Sequence, residues 1–521
     1  MQVETIPALV QQNAERFGDA PAIEDGEFCL THRELAAACL DATRGFMAAG
    51  IEPGERVGIW APNLAEWILA AVGLQGAGAC LVTLSTRLKG TEAAYTLRKS
   101  RARMLLTVND FLGVDYVDLI EDQEIPDLRR IVCLKGARDE DEDWSDFVAG
   151  GEAISLEDAR ARIDSVHGDD LADLIFTSGT TGNPKAVMST HAQDLRVFSV
   201  FTDVIDLRET DRYLVINPFF HSFGYKGGWL SCLIAGATIL PHAVFDVDAV
   251  LERISADRIS VMPGPPTLFQ SLLAHPELAN YDTSNLRMCT TGAAPTPVEL
   301  IHRMREELGF ESIINAYGLS ETTGVVSLCR PEDDDETVAT TCGRAIPDIE
   351  VRCIDPDGKE VPRGEPGEVV VRGYNVMKGY FDDPEETAKT IDADGWLHTG
   401  DIAVMNERGY LRITDRIKDM YILGGFNCYP AEIESLLFGS GLFAQVAVVG
   451  IPDERQGEVG MAFVVPAPGA EISEERVITW SRANMANYKV PRRVEIVDEL
   501  PTNASGKVLK HVLRERAAAS R

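Results

Sequence analysis

Short apolar runs that alternate with helical patterns constrain the fold of this chain more than any other feature of its sequence. From about residue 165 onward, the strand-like runs LADLIF, YLVINPFF, ISVM, LRMCTTG and SIINAYG follow one another. Between them, apolar residues recur at helical spacing, as Ile301, Met304 and Leu308 do. Strands that alternate with helices pack as parallel sheets covered by helices. The sequence therefore predicts an α/β fold.

The length of the chain predicts more than one domain. At 521 residues it exceeds what a single hydrophobic core accommodates. Short strands with turn signals between residues 343 and 415 indicate a small β-rich subdomain that follows the large α/β region. After residue 419 the pattern changes to a compact α+β tail, whose first helix should bury Ile433, Leu436 and Leu437.

The charge of the chain argues against nucleic acids and anionic membranes as partners. The formal net charge is −33 and the isoelectric point is about 4.6, whereas such partners require basic patches. The charge is unevenly spread, because residues 419–521 contain 13 acidic and 11 basic residues, a net of −2. The preceding residues carry the other −31. The C-terminal segment is therefore the more favourable region for an anionic ligand.

The cysteines and apolar segments predict a soluble, cytoplasmic protein without a transmembrane segment. The ten cysteines form no CxxC pair and no cluster at zinc spacing, so we expect buried thiols in a reducing compartment. The N-terminus has neither the basic start nor the apolar core of a secretory signal. Glycines and Gln75 interrupt the most apolar stretch, residues 67–84, which predicts a buried helix, turn and strand.

The strongest chemical signal is the run TSGTTGNPKA, residues 177–186. An apolar strand leads into a loop of small and hydroxyl residues that ends in Lys185. Glycines let backbone N–H groups approach a phosphate, hydroxyls add donors, and the lysine adds a positive charge. A Walker A loop is excluded, because Pro184 precedes the lysine and no Ser or Thr follows it. The run predicts a loop for ATP phosphates, with a polar surface loop as the alternative.

This run resembles the signature of the adenylate-forming superfamily, which includes acyl-CoA synthetases and adenylation domains. Five further segments resemble the superfamily's motifs in the same order: TTGAAPTP at 290–297, NAYGLSET at 315–322, WLHTGD at 396–401, GYLRITDRIKD at 409–419 and PTNASGK at 501–507. The resemblance covers essentially the whole chain. It implies an AMP-forming acyl-CoA synthetase that uses ATP, Mg²⁺ and coenzyme A, with a small-molecule carboxylic acid as its substrate.

The resemblance assigns the binding of ATP and AMP to residues within these motifs. The predicted residues are Thr177, Ser178, Gly179, Thr180, Thr181, Gly182, Lys185, Gly292, Ala293, Ala294, Pro295, Asn315, Ala316, Tyr317, Gly318, Ser320, Glu321, Asp401, Arg416 and Lys507. Their chemistry fits these roles. Tyr317 offers an aromatic face to adenine, Asp401 can accept both ribose hydroxyls, and Arg416 is a permanent cation for ribose or phosphate.

Four residues are predicted as catalytic: Lys507, His221, Glu321 and Lys185. The resemblance implies that Lys507 bridges the carboxylate and the α-phosphate, where a cation stabilises the developing charge. Glu321 is a hard oxygen ligand suited to Mg²⁺, and Thr181 is predicted as a second metal ligand. His221 matches the superfamily's gate near the acyl and phosphate sites, with a core histidine as the alternative.

The resemblance also implies two arrangements of the C-terminal domain. It places a hinge at Lys418, so that residues 1–417 form the AMP- and acyl-binding domain and residues 418–521 form a small mobile domain with the catalytic lysine. Adenylation requires that lysine, whereas thioester formation requires a channel for the pantetheine arm. The channel is predicted to pass Gly424 and Gly425, because a side chain there would block it.

Segments near the acyl site resemble bacterial ligases that activate a methylhexahydroindanedione propanoate (HIP) derived from sterol rings; the segments are INPFFHSFGYKGG, MPGPPTLFQSLLAHP, CRPEDDDETVATTCGR and DMYILGGFNCYPAE. By analogy with the superfamily, the predicted acyl pocket consists of Phe220, Phe223, Trp229, Met262, Pro265 and Ala293. An apolar pocket discriminates poorly among acids of similar size. Ligases for aryl-alkanoic acids or for medium- and long-chain fatty acids therefore stay open as alternatives.

Other classes of protein also stay open. A carrier-loading adenylating enzyme shares the first half-reaction, although the sequence ends at Arg521, shortly after Lys507, without a carrier domain. A stand-alone acyl-AMP ligase, a luciferase-like oxygenase and an inactive scaffold are further alternatives. The sequence does not determine the oligomeric state, and a homodimer is one option.

Overall fold

Parallel sheets with helices packed on them form the larger of two compact units in this computed structural model. The structure describes residues 3–177, 184–292, 296–416, 419–423, 426–453, 456–485, 487–502 and 508–519. The first unit comprises Met1–Glu350 and Val371–Leu397, and the second comprises Val351–Val370 and His398–Arg521. The chain therefore passes from one unit to the other three times.

The strands differ widely in length: the shortest lie in the first unit, and the second unit contains a long hairpin. In chain order they are β1 (Pro21–Asp25), β2 (Phe28–Thr31), β3 (Arg56–Trp60), β4 (Cys80–Thr83), β5 (Ala102–Val108), β6 (Arg130–Lys135), β7 (Leu171–Thr177), β8 (Lys185–Thr190), β9 (Arg212–Val215), β10 (Thr238–Pro241), β11 (Met288–Gly292), β12 (Ser312–Tyr317), β13 (Ser327–Leu328), β14 (Arg344–Ala345), β15 (Glu350–Ile354), β16 (Pro366–Arg372), β17 (Leu397–Met405), β18 (Leu411–Arg416), β19 (Tyr421–Leu423), β20 (Phe426–Cys428), β21 (Phe443–Asp453), β22 (Gly457–Pro466) and β23 (Arg493–Ile496).

The α-helices range from a single turn to several turns. In chain order they are α1 (Ile6–Arg16), α2 (His32–Ala48), α3 (Ala65–Gly76), α4 (Gly90–Ser100), α5 (Tyr116–Ile120), α6 (Trp144–Ala149), α7 (Leu156–Asp164), α8 (His191–Val204), α9 (Ser222–Gly224), α10 (Ser231–Ala235), α11 (Val247–Ala256), α12 (Pro266–Leu273), α13 (Val298–Leu308), α14 (Asp335–Thr340), α15 (Pro384–Thr390), α16 (Pro430–Phe438), α17 (Glu474–Asn484) and α18 (Lys510–Ala519). A π-helix, Tyr225–Leu230, and short 3₁₀ turns complete the described helices.

The main sheet of the first unit contains six strands in the order β6, β5, β3, β4, β7, β8. Its first five strands run parallel, and the edge strand β8 runs antiparallel to β7. Two four-stranded sheets, β2–β1–β10–β9 and β11–β12–β13–β14, complete the unit. The predicted α/β fold with parallel sheets is confirmed. Helix α13 buries Ile301, Met304 and Leu308, as the helical spacing predicts.

Two apolar segments show where local pattern succeeds and where it falls short. Residues 67–84 comprise nearly all of helix α3, a turn and strand β4, and the helix is buried along almost its whole length, as predicted. The predicted strand ISVM is reduced to single bridges. Val261 pairs with Tyr213 on one side and with Met288 on the other, which joins β9 to β11.

The second unit contains a mostly antiparallel sheet and the β-rich segments that precede it. Strands β20, β19, β22 and β21 are adjacent in that order, and β23 pairs in parallel with β22. The predicted runs QVAVVG and MAFVV lie in β21 and β22. Strands β15 to β18 form a four-stranded sheet, in agreement with the β-rich subdomain expected between residues 343 and 415.

The two units divide the chain differently from the predicted boundary between residues 417 and 418. Residues 351–370 and 398–416 group with the C-terminal residues. Their strands pair with one another in the β15–β18 sheet, so most of this sheet falls within one unit. Lys418 itself lies outside the described residues, and the boundary therefore stays a prediction.

Helix α16 corrects one of the predicted core positions. Ile433 and Leu437 have no exposed surface, whereas Leu436 is 36% exposed. Residues four apart share one face of a helix, and neighbouring residues are about 100° apart around its axis. The core contacts the face that carries Ile433 and Leu437, so the inward prediction is wrong for Leu436.

The cysteines and the helices bear on two further expectations. All ten cysteines are free thiols; nine are buried, as predicted, and Cys29 is exposed. Across the part of the chain that the structure describes, no helix combines the length and apolar character needed to cross a membrane.

The two leucines of α16 give a matched test of this packing. Leu437→Ala should lower the free energy of unfolding of the second unit by about 2–5 kcal/mol, because it leaves a cavity in the core. Leu436→Ala should lower it by no more than about 1 kcal/mol. Hydrogen exchange of the β21 and β22 amides under increasing urea measures both values. Equal losses for the two variants would contradict the assignment of the buried face.

Candidate active site

The antiparallel pair β7–β8 positions the two ends of the predicted phosphate loop. Thr177 is the last residue of β7, Lys185 is the first residue of β8, and the two are register partners across the ladder. Residues 178–183, which include the predicted Ser178, Gly179, Thr180, Thr181 and Gly182, lie outside the described residues. The pairing places both ends of the loop at the same end of the ladder.

A segment distant in sequence pairs with the other edge of β8. The amide of Met188 donates to the carbonyl of Gly379 at 3.0 Å, and the amide of Phe381 donates to the carbonyl of Ala186 at 2.8 Å. Tyr380 forms a bridge with Val187 between these bonds. This pairing brings Tyr380 and the helix α15 beside the start of β8.

The ammonium of Lys185 is held by a carboxylate in this structure. Its Nζ contacts Glu386 of α15 and lies 5.0 Å from the centre of the Tyr380 ring. The hydrogen bond from Lys185, followed by one from Lys389, lowers the pKa of Glu386 to about 2. The side chains of Lys185 and Glu386 are partly exposed, at 28% and 32%. An anion is therefore a suitable partner for this lysine at the edge of the sheet.

Glu321 is tied to the same strands. Its Oε1 accepts a hydrogen bond from the hydroxyl of Tyr380 at 3.0 Å and a longer one from Thr177 Oγ1 at 3.5 Å. Its backbone carbonyl accepts from the amide of Met377 at 2.9 Å. Burial, and then the nearby Glu321 carboxylate, raise the pKa of Tyr380, which keeps its hydroxyl a donor. No hydrogen bond to Oε2 is found among the described residues, so this oxygen can serve as a ligand.

The loop that carries Glu321 depends on a close backbone approach. A Cβ added at Gly318 would lie 2.1 Å from the carbonyl oxygen of Gly324. Thr323 adopts the left-handed conformation at φ +52°, and its hydroxyl donates to the carbonyl of Asn375 at 2.9 Å. Ser320 and Glu321 belong to the 3₁₀ turn between these points. Glycine at position 318 therefore lets the loop close behind Glu321.

The predicted adenine-side residues lie at the ends of β11 and β12. These strands pair Thr291 with Asn315 and Gly292 with Ala316. The Asn315 amide is engaged within the protein, since it donates to the carbonyls of Thr341 at 2.8 Å and Val338 at 3.3 Å. The Asn315 side chain therefore holds the end of β12 in position. Ala316 and Tyr317 follow it and are half-buried.

His221 lies in a segment that adjoins the Glu321 loop. Its ring is exposed, and Nδ1 accepts from the amide of Phe223 at 3.2 Å, which caps the short helix α9. Desolvation by the surrounding protein atoms nevertheless lowers the pKa of His221. The Cβ of Ser222 lies 3.7 Å from the position of a Cβ added at Gly324. The alternative of a core histidine does not fit an exposed ring.

The predicted acyl-pocket residues differ in their exposure. Phe220 and Phe223 are half-buried and Pro265 is exposed, whereas Trp229 and Met262 have no exposed surface. Trp229 stacks on Tyr225 with ring centroids 4.7 Å apart, within the core. Ala293 lies outside the described residues. Trp229 and Met262 thus offer no surface to a ligand in this structure, and the composition of the pocket stays a prediction.

The predicted ribose-side residues belong to the second unit. Asp401 is 3% exposed and lies in β17 directly opposite Arg416 of β18. Its amide donates to Thr399 Oγ1 at 3.1 Å, and that hydroxyl donates to the carbonyl of Val369 at 2.7 Å. The side chain of Arg416 lies outside the described part of the structure. Asp401 and Arg416, both predicted to bind the nucleotide, are thus backbone partners across the β17–β18 ladder.

Seven further predicted residues lie outside the described residues: Ala293, Ala294, Pro295, Lys418, Gly424, Gly425 and Lys507. Their predicted roles stay predictions. Tyr380 and Glu386, in contrast, were not predicted. They contact Glu321 and Lys185 through sequence separations of 59 and 201 residues, and the run GYFDDPEET is the only local signal for them.

Comparison with known protein families identifies the family to which the chain belongs. The AMP-binding enzyme family matches residues 10–381, and the C-terminal domain of AMP-binding enzymes matches residues 432–507. The chain belongs to the AMP-binding enzyme family. The predicted superfamily, and with it the predicted class of enzyme, an acyl-CoA synthetase, is confirmed.

Members of the family resemble this chain over nearly its full length. Two are 3-[(3aS,4S,7aS)-7a-methyl-1,5-dioxo-octahydro-1H-inden-4-yl]propanoyl:CoA ligases. The one from Rhodococcus jostii (strain RHA1) is 46% identical over 99% of both chains, and the one from Mycobacterium tuberculosis is 47% identical over 98% of this chain and 99% of its own. The solved structure of the anthranilate CoA ligase AuaEII with anthranoyl-AMP has a TM-score of 0.86 and 27% identity, and the match covers 99% of this chain and 98% of that one.

The close approach of Gly318 to Gly324, in the loop that carries Glu321, can be tested by substitution. Gly318→Ala should lower the melting temperature by several degrees and the rate of acyl-adenylate formation by about tenfold or more, because the new Cβ forces the loop away from Gly324. Gly150→Ala is the control, since its added Cβ meets no atom within 4 Å. Thermal melting and ATP–pyrophosphate exchange measure the two effects. Wild-type exchange by a folded Gly318→Ala variant would contradict the role of the close approach.

Proposed function

We propose that this chain is an AMP-forming acyl-CoA ligase for a propanoate carried on a fused two-ring skeleton, with HIP as the leading candidate. The observation that carries this proposal is the identity of 46% and 47%, over at least 98% of the chain, to two ligases named for that acid. The half-buried aromatic rings of Phe220 and Phe223, close in sequence to His221, are compatible with an apolar acid.

The first half-reaction joins the acid to AMP. A carboxylate oxygen of the acid attacks the α-phosphorus of ATP, the bond from that phosphorus to the bridging oxygen breaks, and pyrophosphate leaves. Lys185 lies at the end of the predicted phosphate loop, and its ammonium contacts the Glu386 carboxylate in this structure. In the reaction this ammonium would bind a phosphate oxygen instead. Lys507 would neutralise the two anions as they approach each other.

The second half-reaction transfers the acyl group to coenzyme A. The thiol sulfur attacks the carbonyl carbon, the bond from this carbon to the AMP oxygen breaks, and the thiol proton leaves with the release of AMP. This step does not use the positive charge that brings two anions together. We therefore assign Lys507 to the first step, and Gly424, Gly425 and the hinge Lys418 to the second.

Mg²⁺ fits the residues around Glu321. One carboxylate together with the phosphates of ATP is a usual ligand set for this ion, which keeps several waters. The hydrogen bonds that the described residues make to this carboxylate, from Tyr380 and Thr177, both go to Oε1, and we propose Oε2 as the oxygen that would hold a cation. The ion would neutralise phosphate charge during the attack on the α-phosphorus. We propose Glu321 as a ligand, with Thr181 beside it, and the cytoplasm as the location where ATP and CoA are supplied.

The identity of the acid can be tested directly. Purified enzyme with ATP, Mg²⁺ and CoA should form the CoA ester of HIP with a higher kcat/KM than those of aryl-alkanoic acids and of straight-chain acids from six to sixteen carbons. Mass spectrometry of the CoA esters gives the rates. If palmitate or a cinnamate exceeds every cyclic propanoate, the substrate assignment is wrong. If pyrophosphate forms but no CoA ester does, the second half-reaction is wrong.

The division of labour between the half-reactions can be tested at Lys507. Lys507→Ala should lower the rate of acyl-adenylate formation by about a hundredfold or more, since one preorganised charge at a transition state contributes roughly 3 kcal/mol. Transfer from a preformed acyl-adenylate to CoA should stay near the wild-type rate. Lys510→Ala is a nearby control, because this lysine contacts Glu434 and has no proposed role in the reaction. Equal losses in both half-reactions would refute the division.

The role of the metal can be tested by removal and by substitution. Excess EDTA should abolish pyrophosphate release, and added Mg²⁺ should restore it. Glu321→Gln should raise the Mg²⁺ concentration needed for half-maximal rate, because an amide is a weaker ligand than a carboxylate. Tyr380→Phe removes only the donor to Oε1, so its Mg²⁺ requirement should change less. Full activity in EDTA would eliminate the metal from the proposal.

A further inference from the structure

A lysine with almost no access to water lies in the core of the first unit. Lys226 belongs to the π-helix Tyr225–Leu230, and its side chain is 1% exposed. Its Nζ lies 2.8 Å from Asp194 Oδ1 and 3.1 Å from Asp173 Oδ2, and it donates a hydrogen bond to Ser189 Oγ at 2.9 Å. Both carboxylates have no exposed surface. The reaction described above uses none of these groups.

Stability alone does not account for this cluster. Desolvation of ions is unfavourable, and a buried ion pair is often no more stabilising than apolar side chains of the same volume. One ammonium also faces two carboxylates. Burial, and then repulsion from Asp173, raise the pKa of Asp194 well above its ordinary value. Such a network is better suited to fixing a geometry than to strengthening the fold.

One side of the cluster is the strand pair that flanks the predicted phosphate loop. Asp173 and Ser189 are register partners in the β7–β8 ladder, and Thr177 and Lys185 are partners four residues further along it. Side chains four residues apart lie on the same face of a strand. Lys226 thus contacts the face that carries Thr177 and Lys185, about 13 Å from the loop at the usual rise of a strand.

The other side of the cluster is the segment that carries His221. The π-helix follows α9 without a break, so Lys226 lies five residues after His221. Further buried contacts hold the π-helix, since the Tyr213 hydroxyl donates to the carbonyl of Gly227 at 2.7 Å and Gln75 Nε2 donates to the Tyr225 hydroxyl at 3.1 Å. π-Helical turns are rare and occur frequently at functional sites.

We propose that Lys226 is a positioning residue that fixes the segment around His221 against the β7–β8 ladder. Its contacts with Asp173 and Ser189 of that ladder connect the acid side of the site to the phosphate side. The consequence for the reaction, which rests on the proposed function, is that the acid and the ATP phosphates are held at one separation. A shift of about 1 Å in such a separation is enough to lower a rate by up to a hundredfold.

Three variants separate positioning from stability. Lys226→Met removes the ammonium. The triple variant Lys226→Met, Asp173→Asn, Asp194→Asn replaces every charge by a neutral side chain of similar size and avoids an uncompensated buried carboxylate. The control is Asp211→Asn, which weakens another buried ion pair, that with Arg287, at the start of β9 rather than at the site.

Three measurements decide the proposal: the melting temperature, hydrogen exchange of peptides covering residues 217–224, and kcat and KM for ATP in pyrophosphate release. Lys226→Met should raise the exchange of these peptides and lower kcat by about tenfold or more. Its KM for ATP should change less than about threefold, since the phosphate loop itself is unaltered. The triple variant should melt closer to the wild-type temperature and keep both defects. Asp211→Asn should lower the melting temperature and leave exchange and kcat unchanged.

The outcomes that overturn the proposal are equally definite. A folded Lys226→Met or triple variant with wild-type exchange and kcat would show that the lysine fixes nothing at the site. Recovery of kcat in the triple variant would mean that charge neutrality is its only role. If the wild type forms no adenylate with any acid, the proposed function fails, while the exchange measurement, which needs no substrate, still decides whether Lys226 holds the segment.

Discussion

Strand β8 is hydrogen-bonded along both of its edges, and the described part of the candidate active site in the first unit depends on that double pairing. Strand β7 lies on one side and residues 378–381 lie on the other. The first pairing sets Thr177 opposite Lys185. The second brings Tyr380 to the Glu321 carboxylate and Glu386 to the lysine. A loss of the second pairing would separate Tyr380 from Glu321 and Glu386 from Lys185 without altering the main sheet.

Two different environments for a lysine follow from the same ladder. Lys185, at the end of the ladder, meets a partly exposed carboxylate that an anionic ligand can replace. Lys226, which belongs to the π-helix and contacts the ladder at Asp173 and Ser189, meets carboxylates that no solvent reaches. Exchange of partners needs water to solvate the departing group, so the first lysine can act on a ligand and the second cannot. In a chain with a net charge of −33, carboxylate partners for both are abundant.

Local sequence pattern was sufficient for the elements and for the chemistry at strand ends. The buried helix and strand of residues 67–84 and the α/β class were predicted, because each depends on spacing within a short window. Thr177, Lys185 and Glu321 were predicted from motifs that resemble those of a known superfamily. Local pattern failed at Leu436, where the chosen face of α16 depends on what packs against it. It also missed Tyr380 and Glu386, because pairing between strand edges so distant in sequence leaves no periodic trace. The predicted pocket residue Trp229 is buried because it stacks on Tyr225 and meets Trp67 edge to face, contacts that only tertiary packing determines.

The double pairing of β8 also has a consequence during synthesis of the protein. The strand leaves the ribosome long before residues 378–381, which cover its second edge. At bacterial or eukaryotic elongation rates this interval is about 10–40 s. An uncovered strand edge is a template for pairing with another chain. The second edge of β8 therefore stays unpaired in the nascent chain for much longer than its local elements need to form. A chaperone that binds extended segments would have its longest opportunity in this interval.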